Sequence, residues 1–374
     1  MERLLLAGAL IGALTASSYG ATVLINGVPV DKLYVDSEGR LYLTPGPGRK
    51  PVKIEIPDRA PAKSQKRLKI GGKAYIHYDA ELGSSKKENA FKITRNYIEL
   101  RGYTSKENYF RTTLDVKQTD VDGGSYVVRL KYGYAYFSSV LPYTGLEVGM
   151  AHRPWIDWEE HNGWLHRDLG ETLIESKRGA HLINSADLGL NFKGSKGVAS
   201  WEVGIFNGEG YHGVEESSHF GKSLEGRLSV KLLKNFTLSG HTVHSFDHKG
   251  ANFDRHIYQL HGIYRTPYFL IAAQYIWDWD NYYDGKDLKP HGYSVNTDLF
   301  LKPLTGYPVG LLARFDRWDT DLGGDDVKEH WIYGLFYNLS NHVRLTVAHD
   351  RLLAGSSTGE DDLSTLMGVA QVKW

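Results

Sequence analysis

Residues 125–137 read Ser-Tyr-Val-Val-Arg-Leu-Lys-Tyr-Gly-Tyr-Ala-Tyr-Phe. Strict alternation places Tyr126, Val128, Leu130, Tyr132, Tyr134 and Tyr136 on one face and Arg129, Lys131 and Gly133 on the other. A period of two is that of a β-strand, whose successive side chains point to opposite sides of the sheet. One such strand suits a soluble sandwich and a membrane barrel equally, because both give its apolar face an apolar neighbour. What separates them is the set of strands and the loops between them.

Working outward from this stretch, segments of the same kind begin near Leu68, Phe91, Tyr109, Ser125, Leu146, Ala186, Ser200 and Leu224. They continue from Phe236, Arg255, Tyr268, Gly292, Val309, Trp331, Val343 and Ser364. That makes about sixteen. Connections after even-numbered strands are short, as at Lys234-Asn235, Thr266-Pro267 and Leu339 to His342. Those after odd-numbered strands are long and polar, as at Trp279 to Lys289 and Arg317 to Glu329. Short turns at one rim and long loops at the other, with an even strand count, characterise transmembrane β-barrels of the outer-membrane type. A soluble sandwich has no reason for that asymmetry.

The rest of the chain fits this expectation. Glycine (41), tyrosine (24) and tryptophan (9) are plentiful, as turns and interfacial aromatic girdles require. Lysine plus arginine and aspartate plus glutamate both total 44, so no basic excess points to a nucleic acid. The mean hydropathy is −0.39, which a barrel shares with soluble proteins because only alternate residues meet lipid. There is no cysteine, hence no disulfide framework. Arg3 followed by the apolar Leu4 to Leu14, with Ser18 and Gly20 behind, reads as a cleaved signal peptide over residues 1–20. The alternative is a buried N-terminal helix.

Residues 21–66 read as a small periplasmic unit and a linker. Val23-Leu24-Ile25 meets an Asn26-Gly27 turn, and Lys32 to Val35 and Leu41 to Leu43 flank the turn at 36–39. Pro45, Pro47, Pro51, Pro57 and Pro61, mixed with lysines, form a semi-rigid spacer. Residues 67–374 then make the barrel. With the N-terminus in the periplasm, odd connections are extracellular. The last strand carries Leu366, Gly368, Ala370, Val372 and Trp374 on one face and ends on an aromatic residue, as the closing strands of such barrels do.

A sixteen-stranded barrel encloses an aqueous lumen, whereas eight strands leave room only for side chains. The longest connection, about Pro154 to Ser185, is the third odd one and is expected to fold into the lumen as a constriction; the alternative is an ordinary surface loop. It carries Asp157, Glu159, Glu160, Asp168, Glu171 and Glu175 against Arg167, Lys177 and Arg178. By alternation the first five strands turn Lys69, Lys73, Arg95, Arg101, Arg111, Lys117, Arg129, Lys131 and Arg153 inward, opposed by Asp79, Glu99, Asp115 and Glu147. The later strands are balanced, with Arg227, Lys231, Arg314 and Arg344 beside Glu202, Glu225, Asp298, Asp316 and Asp350. A basic wall facing an acidic loop would set up a transverse field, and ladders of arginine and lysine favour anions. Charges that merely keep a lumen wet would look similar.

Other chemistry finds less support. Of sixteen histidines, His161 and His166 lie near Glu159 and Glu160, and His241, His244 and His248 near Asp247. His241 and His244 fall on opposite strand faces, and no His-Glu-x-x-His spacing occurs, so neither a metal nor any other cofactor is expected. Asp278, Asp280, Asp284 and Asp287, with Asp319, Asp321, Asp325 and Asp326, could bind calcium or bridge lipopolysaccharide, but solvated loops explain them as well. Neither a nucleophile elbow nor a phosphate loop is present, so no enzyme activity is expected.

Several ordered segments resemble the phosphate-selective porin O and P family. They are Arg95-Asn96-Tyr97-Ile98-Glu99-Leu100-Arg101-Gly102, Val148-Gly149-Met150-Ala151-His152-Arg153-Pro154 and Ile205-Phe206-Asn207-Gly208-Glu209-Gly210. Ala313-Arg314-Phe315-Asp316, Tyr333 to Arg344 and Gln371 follow in the same order, so the resemblance spans most of residues 68–374. It implies a homotrimer of sixteen-stranded barrels in the outer membrane, in contact with lipid and lipopolysaccharide and passing small hydrophilic or anionic solutes, in some members phosphate. The phosphate-specific members place an arginine ladder and basic residues at the constriction. Here the long loop is net acidic, so the expectation is a porin with at most a weak anion preference. An outer-membrane barrel enzyme and an extracellular β adhesin are the competing classes.

Overall fold

The computed structural model describes residues 23–25, 28–30, 33–37, 41–42, 44–52, 67–82, 89–118, 124–213 and 221–374. The expected signal peptide and most of the proline-rich spacer lie outside the described residues. The chain divides into two units, residues 1–65 and 66–374. In the first, Val23–Ile25 pairs antiparallel with Val28–Val30, and Leu33–Val35 pairs with both Leu41–Tyr42 and Lys50–Val52. Within it the Tyr42 hydroxyl donates to Asp36 at 2.8 Å and the Arg49 guanidinium lies 3.5 Å from the Tyr42 ring centre.

The second unit is a closed antiparallel barrel. Its strands are β1 (Leu68–Glu81), β2 (Asn89–Tyr103), β3 (Tyr109–Gln118), β4 (Tyr126–Leu141), β5 (Thr144–His152), β6 (Ala186–Lys196), β7 (Ala199–Phe206) and β8 (Lys222–Leu233). Then follow β9 (Phe236–Phe246), β10 (Phe253–Arg265), β11 (Phe269–Tyr282), β12 (His291–Phe300), β13 (Val309–Asp319), β14 (Val327–Asn338), β15 (Val343–Ala354) and β16 (Leu363–Lys373). Each pairs with the next, and β16 returns to β1 from Thr365↔Glu81 to Lys373↔Lys73. The two-residue Asp287–Leu288 adds a rung beside β11. Closure leaves no open sheet edge, which a strand structure in lipid requires.

Burial alternates in the sense expected of a membrane barrel and opposite to that of a soluble one. In β11, Gln274, Asp278 and Asp280 are buried, while Ile271, Trp277 and Trp279 are 46%, 47% and 43% exposed. In β15, Thr346 and Asp350 are buried and Leu345 and Val347 exposed. The polar face therefore points into the ring and the apolar face outward. His241 and His244 do lie on opposite faces, His241 buried with Val243 and His244 turned outward beside His256.

The rims are unequal, but the loops are shorter than the alternation suggests because strands run further out. The loop expected at Trp279 to Lys289 narrows to 283–290, and that at Arg317 to Glu329 to 320–326. One connection breaks the rule: 301–308, after an even strand, includes a single helical turn, α2 (Lys302–Thr305).

The face assigned to the opening stretch is corrected in its second half. Opposite Thr113 and Leu114 of β3 stand Tyr132 and Leu130 of β4, so Lys131 is an extra residue, a β-bulge. A bulge shifts the side-chain phase by one. Tyr126, Val128 and Leu130 stay on the exposed face, whereas Tyr132 and Tyr134 turn inward with Lys131, and Phe137 becomes exposed. A similar shift between β1 and β2 at Thr94 brings Arg95 and Tyr97 inward.

Candidate functional site: the interior of the barrel

Residues 153–185, between β5 and β6, contain too many large apolar side chains for a solvated loop. Most of their hydrophobic groups are buried in two clusters. Trp155, Ile156, Leu173, Ile174, Leu182 and Ile183 pack on Val243, Ile257, Ile276 and Trp318 of β9, β10, β11 and β13. Trp164 and Leu169 pack on Leu312, Ile332, Phe336, Ala348, Met367 and Val369 of β13–β16. These wall residues occupy positions on the polar face, where alternation alone calls for hydrophilic side chains. That irregularity is the signal in the sequence that locates the loop's seat.

Polar contacts follow the same path round the ring. The loop opens on helix α1 (Ile156–Asn162). Trp155 donates its indole N–H to Glu159 at 2.6 Å, and Gln274 of β11 donates to the other Glu159 oxygen at 2.7 Å. Burial pushes the Glu159 carboxyl up to about 7. His166 bonds Asp298 of β12 at 2.7 Å, Asn296 donates to the Gly163 carbonyl at 2.9 Å, and Arg344 of β15 pairs with Asp168. Arg178 pairs with Asp350 of β15, and Lys328 of β14 donates to the Lys177 carbonyl at 3.2 Å. Arg95 of β2 bridges Asp115 at 2.5 Å and Glu171 at 3.0 Å. Within the loop, Arg167 takes Glu160 at 2.7 Å, Glu171 and Glu175. Burial opposes charge on Glu175, but the Arg167 guanidinium holds its carboxyl down to about 2. Asp157 keeps a carboxylate that is 42% exposed, near His152 and His161.

The opposed charges expected across a water gap are therefore mostly joined in pairs. On the wall, Glu99 takes both Arg101 at 2.6 Å and Arg111 at 2.7 Å, and Arg153 pairs with Glu225. Lys117 and Arg129 are half-buried near the end of β3 and the start of β4. Lys131 differs. Its buried ammonium donates to the Tyr97 hydroxyl at 3.3 Å and lies over the rings of Tyr97, Tyr132 and Tyr211 at 4.7, 5.5 and 5.8 Å.

Space remains on the side the loop does not fill. A cavity of about 650 Å³ is bounded by Lys73, Tyr97, Arg101, Arg111, Tyr132, Tyr136, Lys193 and the loop residues Asp157, Glu160 and Arg167. A second, of about 320 Å³, shares Tyr75 and Arg167 with it and continues past Arg95, Glu171 and Arg178. A third, of about 390 Å³, shares Asp79, Arg178 and Asp350 with the second and extends to Glu81 and Lys92. The three stand in series along β1–β5 and the strands that close onto β1, and the Tyr75–Arg167 pair divides the first two. Among the described residues no group of three or more histidine, aspartate or glutamate side chains is arranged to hold a metal ion.

Among known proteins, the chain matches no family model and no curated sequence. Its fold does match solved structures. A loop-L8 deletion mutant of OmpT, an outer membrane protein of Vibrio cholerae, superposes with a TM-score of 0.61 at 10% identity, over 82% of this chain and 100% of that one. OmpF of Salmonella typhi in complex with daunomycin gives 0.60 at 12% identity, over 82% and 97%. An anion-selective porin from Comamonas acidovorans gives 0.60 at 10% identity, over 82% and 99%. At such identities the likeness establishes the fold alone: a closed antiparallel barrel like those of these outer-membrane proteins.

Proposed function

We propose that the chain is an outer-membrane porin, a passive channel for small hydrophilic solutes, in which residues 153–185 form the constriction. The observation that carries this reading is the inside-out burial of a closed sixteen-stranded barrel whose cavities follow one wall from end to end. A weak preference for anions follows from the first cavity. There Lys73, Arg101, Arg111, Lys131, Arg167 and Lys193 outnumber Glu99, Glu147, Asp157 and Glu160. The likeness to an anion-selective porin is in keeping with that preference, and the ordered motifs from Arg95 to Gln371 favour a distant place beside the phosphate-selective O and P porins. Assembly as a homotrimer is supported by the trimer form of Vibrio cholerae OmpT, which has the same fold. The periplasm would receive the N-terminus, and the exposed aromatic and aliphatic face would meet lipid and lipopolysaccharide.

Conduction tests the reading. The detergent-extracted barrel should migrate faster unheated than boiled and, added to a planar bilayer, should give ohmic steps. In a salt gradient the reversal potential should have the sign of anion preference. A folded barrel with no conductance would favour the enzyme or adhesin class instead. Clear cation selectivity would remove the anion preference and leave the channel.

A further inference from the structure

A closed ring of polar contacts ties helix α1 to the barrel wall. His241 of β9 donates from Nδ1 to the Gln259 side-chain oxygen at 3.3 Å, and Gln259 of β10 donates to Gln274 of β11. Gln274 donates to Glu159, Glu159 accepts from Trp155, and the Trp155 ring stacks on His241 with centroids 5.2 Å apart and planes at 28°. Every member is buried, and three strands are bound through it to one loop carboxylate. His261 of β10 closes the site edge-on to Trp155 and Trp158, each at 5.6 Å.

The charges facing Glu159 do not neutralise it. Arg314 of β13 is committed to Asp316 at 2.8 and 2.6 Å and to the Glu171 carbonyl at 2.8 Å. Arg227 of β8 lies over Trp158 at 5.1 Å but bonds Glu202 and the Pro154 carbonyl. His241 and His261 reach Trp155, not the carboxylate. Among the described residues, Glu159 thus has two neutral donors and no ion-pair partner.

Building on the constriction reading above, we propose that Glu159 is a positioning residue of the constriction loop, and that its ionisation loosens the loop from the wall and makes the channel pH-dependent. A buried carboxylate without a partner charge favours its neutral form. With the carboxyl raised to about 7 from an ordinary 4.5, the docked loop holds its proton where an undocked loop has lost it. Docking is therefore fully supported below about 4.5, and that support is lost as pH rises through about 7.

The experiment is single-channel recording on the full chain between about pH 5.5 and about pH 8.5. Open-level current fluctuations should grow severalfold across that range, centred near pH 7. Glu159→Gln keeps the size and the acceptor oxygen without the charge, so it should stay quiet throughout. Trp155→Phe keeps most of the stacked ring but removes one donor to the carboxylate, so the transition should move upward by about one pH unit. Heat-modifiable migration establishes that each variant is folded. An unchanged pH profile in Glu159→Gln overturns the proposal while leaving the porin reading intact; absence of conductance from the folded parent overturns the porin reading. If Glu159→Gln does not fold, the Trp155→Phe shift decides alone, and no shift overturns the proposal.

Discussion

At the residue scale, Arg167 is a junction of the long loop and of the space beside it. It gathers Glu160, Glu171 and Glu175 and stands with Tyr75 between two cavities. Replacing it by alanine strands these carboxylates in a confined space, and breaking a buried pair from one side costs on the order of 3–5 kcal/mol. The barrel, held by its own ladders, should still fold, so the loss falls on the loop. Arg167→Ala should raise single-channel conductance and move the reversal potential towards cations; unchanged values would place the narrowest point elsewhere. Acid should act on the same pair. Because Arg167 holds Glu175 down to about 2, the pair's contribution is complete above the ordinary 4.5 and is lost as pH falls through about 2. Sequence reasoning named Arg167 as a loop cation but could not show that it binds its own loop's acids. Charge counts carry no distances. Trp374 was more legible: its amide and carbonyl bond Gly72 at 3.1 Å in both directions, and a Cβ on Gly72 would meet the indole at 2.1 Å.

At the scale of the element, strands were readable because period two is enforced wherever one face meets water and the other does not. All of the expected starts lie within a few residues of the observed ones. The bulge at Lys131 was not readable. After it the chain runs Tyr-Gly-Tyr-Ala-Tyr-Phe, in which both faces are apolar or aromatic, so a one-residue change of phase leaves no trace in hydrophobicity. Thiol labelling resolves the two phases, and the absence of native cysteine gives a clean background. Tyr136→Cys, beside the main cavity, should react with a charged, membrane-impermeant maleimide in reconstituted barrels. Phe137→Cys, on the exposed apolar face, should not. The reverse result would restore strict alternation through β4 and remove the tyrosines from the lumen.

At the scale of the molecule, the interior is lopsided. Strands β9–β16 turn apolar residues inward, and the loop lays its own apolar residues on them, so half the ring becomes a packed core. Strands β1–β5 turn tyrosines and cations inward and border the first cavity, and β14–β16 share the other two with β1 and β2. In the sequence, Val243, Ile257, Ile276, Leu312, Ile332 and Phe336 look like lapses in a polar face; only the folded loop shows that they form one surface. The division of labour has a measurable consequence. Barrel stability comes from strand pairing around the whole ring, whereas loop position comes from a cluster centred on Trp155, Ile174 and Ile276. Ile174→Ala should cost the loop about 2–5 kcal/mol by leaving a cavity. The heating temperature at which the folded gel band disappears should barely change, because no strand pairing is touched. Conductance should rise and become noisier, and added protease should cut the loop within residues 153–185 where the parent resists. A lowered unfolding temperature with unchanged conductance would mean that the loop's core supports the barrel rather than the passage, and that the constriction must be sought among the β1–β5 side chains alone.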